Sequence, residues 1–185
     1  MVGDLFVSGA NAFGQVNDVT HGYGMTAVDM GLKAGSAVTI SNYTAGPNGY
    51  KADWKDHLFV HEYGHYVQSQ QFGPAFLPVV GIPSIQSAIL DKDPDSPQHE
   101  ERWFEADASY KGAAYFDKHY GSGAEGYSPG SPDYFNRKGF IEGGINPYQN
   151  PRTGDFYQSK NPIKGIFHPS DIHIHLFIGW LLMLN

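Results

Sequence analysis

Cysteine is absent from all 185 residues, so disulfides and thiolate metal sites are excluded, and any metal must be held by histidine and carboxylate. No run of lysine or arginine occurs, and 12 basic against 19 acidic residues leave a formal net charge of -7. That balance suits neither nucleic acid nor an anionic membrane surface as a partner. Charged residues reach only 17% while aromatics reach 15%, which marks a chain that folds. Long hydrophobic runs are missing too. The most apolar stretch, Ile172 to Leu184, is shorter than the about 20 residues of a transmembrane helix. It reads as a buried terminal helix capped by Ser170 or Asp171, with His173 and His175 at its start. Met1-Val2-Gly3-Asp4 is not a basic segment followed by an apolar one, so no signal peptide is visible. Export as part of a longer precursor stays open. The length suits one domain, 1–185, with a sizeable core.

Histidine is plentiful, with 9 in the chain, and the pattern His61-Glu62-Tyr63-Gly64-His65 is the one around which the rest is organised. On a helix, His61 and His65 stand one turn apart and point the same way, so both can bind one metal ion. Glu62 then lies beside the metal, where a carboxylate can take a proton from a metal-activated water. The helix is expected over Trp54 to Phe72. Asp53 is its plausible N-cap, with Asp56 completing a short capping box, and Gly73-Pro74 supplies the stop. Phe59, Val60, Tyr63, Tyr66 and Val67 make most of its circumference apolar, which predicts a buried helix. Only the stripe of His57, His61, Gly64, His65 and Gln68 interrupts that surface.

Upstream, residues 1–50 are rich in Gly, Asn, Ser and Thr, with short apolar runs such as Leu5-Phe6-Val7 and Ala37-Val38-Thr39-Ile40. They predict a small antiparallel or mixed sheet packed on the central helix, whose edge could receive an extended peptide. Downstream, Ser84 to Leu90 predicts a short helix, and Ser96 with Pro97 predicts the start of a second long helix running to about His119. On it Glu101, Glu105, Ala108, Ser109 and Gly112 share a side, while Asp107 points away. Ala108 and Gly112 are small enough to let this helix approach the first. Glu105 is well placed to supply a third ligand, and Glu101, one turn earlier, competes with it. Tyr120 to Ser170 is loop-rich; Tyr127, Tyr134, Tyr148 and Tyr157 either line a groove or pack the loops.

At His61 to His65 the sequence resembles the zincin metallopeptidases. The metzincin continuation, H-E-x-x-H-x-x-G-x-x-H/D, is not met, because Gln68 and Gln71 occupy its last two defining positions. Glu105-Ala106-Asp107-Ala108-Ser109 is similar instead to the gluzincin pattern, in which a second helix supplies a Glu ligand and, shortly after, a polar residue that orients a ligand His. Ser109 stands where that residue is commonly Asp or Asn. Gly64 and Gln68 also resemble the helix of small, mostly uncharacterised bacterial proteins with the pattern His-Glu-x-Gly-His-x-x-Gln.

The resemblance implies an α+β, zincin-like fold: an N-terminal sheet on the metal helix, a second long helix and a loop-rich C-terminal half. It implies a zinc-dependent hydrolase acting on a peptide or protein, with His61, His65 and Glu105 on Zn2+ and Glu62 as general base. The group that steadies the oxyanion is not matched by motif, and His99, Tyr110, His119, His168 and His173 are its candidates. His57 could hydrogen-bond behind the site or touch substrate. Two rivals from other classes are a catalytically inactive metal-binding domain and a surface module binding peptide or glycan.

Overall fold

The computed structural model describes residues 14–90, 98–120, 140 and 145–157. They form an α+β arrangement in which a four-stranded sheet precedes the helices. The strands are β1 (Asp18–Gly22), β2 (Met25–Leu32), β3 (Val38–Ile40) and β4 (Tyr43–Pro47), in the order β1-β2-β4-β3. β1 and β2 pair antiparallel, β2 and β4 parallel, β3 and β4 antiparallel, so the sheet is mixed. The β1–β2 turn needs two positive φ angles, at Tyr23 (57°) and Gly24 (80°). That is the geometry whose twist suits a two-residue hairpin, and the glycine adopts it without strain. At the irregularity after Asp29 in β2, the buried Asp29 carboxylate accepts from Asn17 Nδ2 and from the backbone N–H of Gly31 and Gly49. One side chain thereby ties the entry to β1 and the turn after β4 onto β2.

Among the described residues three α-helices follow: α1 (His57–Phe72), α2 (Ile82–Leu90) and α3 (Trp103–Tyr120). α1 begins later than its sequence suggests. Asp56, not Asp53, is the N-cap, accepting from Leu58 N at 2.8 Å. Asp53 instead accepts from Lys55 N at 2.9 Å, holding Trp54 and Lys55 in a turn ahead of the helix. The stop is as expected: Gly73 takes φ 54° and returns its N–H to Ser69 O. Pro78 and Pro83 then remove two backbone donors, and the chain makes a wide π turn (Leu77–Gly81) around the first of them, closed by Ile82 N–H on Leu77 O where α2 begins.

The second long helix also departs from expectation. A 3-10 turn, His99–Glu101, comes first, Arg102 is extended, and α3 starts at Trp103. Glu101 therefore does not share a helix face with Glu105. Its carboxylate accepts from Gln98 N at 2.9 Å and serves as a cap. Ser96, Pro97 and the expected strand at Leu5 to Val7 lie outside the described residues, as do Tyr127, Tyr134 and the expected terminal helix.

Phe59, Val60 and Tyr63 of α1 pack with Ala113 and Phe116 of α3 and with Met25 and Ala27 of β2. α1 and α3 touch backbone to backbone. A Cβ on Gly64 would sit 1.8 Å from Ala108 O, and one on Gly112 would sit 1.9 Å from Val60 O. Reciprocal glycines thus fix how close the two helices come, and that contact positions the side chains considered next. No single helix among the described residues is long and apolar enough to cross a membrane.

Candidate metal centre

From α1, His61 and His65 project one turn apart, their rings edge to face with centroids 4.8 Å apart. From α3, Glu105 reaches across the glycine contact. Its Oε2 lies 3.0 Å from His61 Nε2 and 3.1 Å from His65 Nε2. One ligand atom from each residue falls within 4.8 Å of the others, so the three can hold a metal ion. Two further observations fit a cation here. Glu105 Oε1 is buried with no hydrogen-bond partner among the described residues. The donor set, two imidazoles and a carboxylate without thiolate, is one that binds divalent transition metals.

The electrostatics follow from crowding these groups together. Burial alone would raise the Glu105 carboxyl, but the His65 charge and hydrogen bonds from His61 and His65 hold it well below its ordinary value. For His65 burial alone would depress the imidazole; the Glu105 charge and hydrogen bond prevail and bring it to about 9. Protons and a metal therefore compete for the same pair of groups.

Each histidine is held from behind. His61 Nδ1 lies 2.9 Å from Ser109 Oγ, so Ser109 fills the orienting position the sequence resemblance gave it. His65 Nδ1 lies 2.8 Å from Gln68 Oε1. Gln68 is fully buried, and its Nε2 donates to Phe104 O and to Asp107 Oδ2, both at 2.8 Å. With both acceptors on the amide nitrogen, the amide oxygen must face the ring. When a metal displaces the Nε2 proton that His65 shares with Glu105, the remaining proton stays on Nδ1 and the Nε2 lone pair faces the metal position. Lys111 Nζ bonds the same Asp107 oxygen. Asp107, expected to point away from Glu105, reaches α1 as well: it grips Gln68, the residue that sets the histidine.

Glu62 is 3% exposed, and Thr39 Oγ1 of β3 donates to its Oε2 at 2.6 Å. It borders two cavities that also reach His61 and Glu105. Both cavities extend to His99, whose Nε2 is 3.8 Å from Glu105 Oε1 and whose Nδ1 is 2.6 Å from Ser87 Oγ. Ser87 Oγ in turn donates to Ser84 O at 2.9 Å.

His57 lines the wider cavity beside His61, its ring edge-on to Phe140. Tyr110 is not brought to the site. It packs against Tyr148 and Tyr157 and lines neither cavity, because those aromatics cover its side of α3. His119 stacks on Tyr115 at the exposed end of α3. His168 and His173 lie outside the described residues. Thr39 and the role of Asp107 escaped the sequence reading. Neither carries a motif, although the i, i+3 spacing of His65 and Gln68 signals their contact.

Compared with protein-family models, curated proteins and solved structures, the chain matches none. Its own geometry carries the functional reading.

Proposed function

We propose that this chain is a zinc-dependent peptidase of gluzincin type. The observation that carries the reading is the meeting of Glu105 with both histidines of the H-E-x-x-H helix, while Glu62 stands beside them at the wall of an accessible cavity. His61, His65 and Glu105 would hold the ion. Three protein ligands with a fourth side open is the arrangement of catalytic zinc, not of closed structural zinc. When bound, zinc supplies a lowered water pKa and a polarised substrate carbonyl. Glu62 accepts the proton of the attacking water and returns it to the leaving amine. Thr39 holds Glu62 by one oxygen and keeps it turned to the cavity. β3, the last strand of the sheet as described, borders the same cavity and is available to align an extended peptide.

A second reading, a metal-binding domain without catalysis, is favoured by one observation: His99 Nε2 is 3.8 Å from Glu105 Oε1. Movement of that ring onto the ion would close the fourth position. Elemental analysis and peptide digestion together decide between them. The proposal expects about one zinc per chain, lost in Glu105→Ala and retained in Glu101→Ala. It also expects cleavage that falls about 100- to 10,000-fold in Glu62→Gln with zinc retained. Zinc retained in Glu105→Ala, or no cleavage by zinc-loaded wild type, refutes it.

A further inference from the structure

The two cavities at the candidate metal centre share Ala37, His61, Glu62, Ala88, His99 and Glu105, and so form one groove crossing it. Its two flanks differ. On one side lies a cavity of about 260 Å3, walled by the wide turn and α2 through Phe76, Leu77, Ile82, Ile85 and Ile89. Apart from Glu62, Glu105, His61, His65 and His99, no ionisable side chain borders it among the described residues. On the other side lies a cavity of about 540 Å3 bordered by Ser36, His57, Gln98 and Glu100, again without lysine or arginine among the described residues. The chain leading into β3 runs along both: residues 35–37 border the wider cavity and 37–40 the narrower.

We infer that the groove selects extended peptides with a large apolar side chain on one flank of the scissile bond and a polar or cationic residue, not an acidic one, on the other. This rests on the peptidase reading and adds its substrate class. The narrow cavity is smaller than the about 300–1,000 Å3 of small-molecule pockets, a size for one side chain and not for a whole ligand. A charged group laid against the wall of the wide turn and α2 loses its water and finds no ionisable side chain on that wall, whereas an aliphatic or aromatic one covers Leu77, Ile85 and Ile89, which are 53%, 52% and 59% exposed. On the other flank, Glu100 supplies a carboxylate outside the ligand set, which borders the wider cavity and not the narrower one, so an acidic residue is repelled there and a lysine or arginine attracted.

A mixed peptide library tests this in two arms. Zinc-loaded wild type digests it, and the new termini are read by mass spectrometry. Immobilised, zinc-loaded Glu62→Gln protein selects from the same library, and the retained peptides are sequenced. Both sets should be enriched about tenfold or more in Leu, Ile, Met or Phe at one position and depleted of Asp and Glu across the scissile bond. Ile85→Asp, at a half-exposed wall position, should erase the apolar enrichment while zinc content is kept. Selective retention without any cleavage would sink the peptidase reading and leave the groove inference standing. Cleavage or retention without apolar preference, an enrichment indifferent to Ile85→Asp, or neither cleavage nor retention would overturn the inference.

Discussion

Gln68→Met tests whether the buried amide, not packing alone, prepares His65 for a metal. Methionine keeps the length and much of the volume of glutamine, so the fully buried site stays filled. What it removes is polar. His65 Nδ1–H loses its acceptor at 2.8 Å, while Asp107 keeps Lys111 and Phe104 O keeps its own helical partner. One stranded buried donor costs about 1–3 kcal/mol, out of a total stability of about 5–15 kcal/mol. For a chain of this size that lowers the melting temperature of the metal-free protein by roughly 2–12 °C. The metal suffers separately. His65 is freed to carry its proton on either nitrogen, and loss of such a supporting contact weakens metal affinity about 10- to 100-fold. That corresponds to about 1.4–2.8 kcal/mol. Zinc affinity is read by competition with a fluorescent chelator, and metal-free stability by thermal melts. A drop in stability with zinc affinity unchanged within about twofold would refute the reasoning and assign the ring's orientation to its packing against Phe76 and His61.

Two further expectations concern the frame of the site. Gly64→Ala forces a methyl group into the Ala108 carbonyl, where the overlapping atoms are backbone and only separation of the helices relieves it. It should cost at least the upper end of the about 1–3 kcal/mol typical of overpacking, visible in denaturant melts, and should reduce zinc content even where the protein still folds. In the sheet, the Asn17 amide, followed by the Gly49 and Gly31 N–H groups, holds the Asp29 carboxyl below its ordinary value. A carboxyl depressed in the folded state contributes stability that is present above its unfolded pKa of about 3.9 and is lost as pH falls through the folded one. Asn17→Ala should therefore raise the Asp29 pKa in a carboxyl-detected NMR titration and shrink the acid-sensitive part of the stability. An unmoved titration would show that the backbone donors alone hold Asp29.

The centre was more legible in the sequence than its surroundings, for a physical reason. His61, Glu62 and His65 belong to one helix, where spacing fixes direction, and Glu105 stands among small residues on a second helix that must pack closely on the first. Those relations are local or periodic. Thr39 is neither, since its bond to Glu62 joins residues 23 apart, with β4 between them, and depends on how the sheet docks. The helix starts slipped for a similar reason. Asp53 and Asp56 are equally good caps by residue type, and the Asx contact of Asp53 with Lys55 decides between them only in three dimensions. Glu101 and Glu105 were separable only once Arg102 became extended and broke the register between them.

Gly64 links the stability of this fold to its chemistry. It lies inside the H-E-x-x-H segment, between the two histidines, and it is also the residue through which α1 touches α3. The histidines reach Glu105 because the backbones meet there, and Gly112 repeats the contact two turns beyond Glu105 along α3. Widening the contact by a methyl group would move Glu105 away from both Nε2 atoms at once, and Ser109 and Asp107 ride on the same helix. The ligand set, the hydrogen bonds behind it and the helix crossing are therefore one mechanical unit. In such a unit a substitution that spares every ligand can still empty the site, so loss of metal in a variant identifies a ligand only when the crossing is known to be intact.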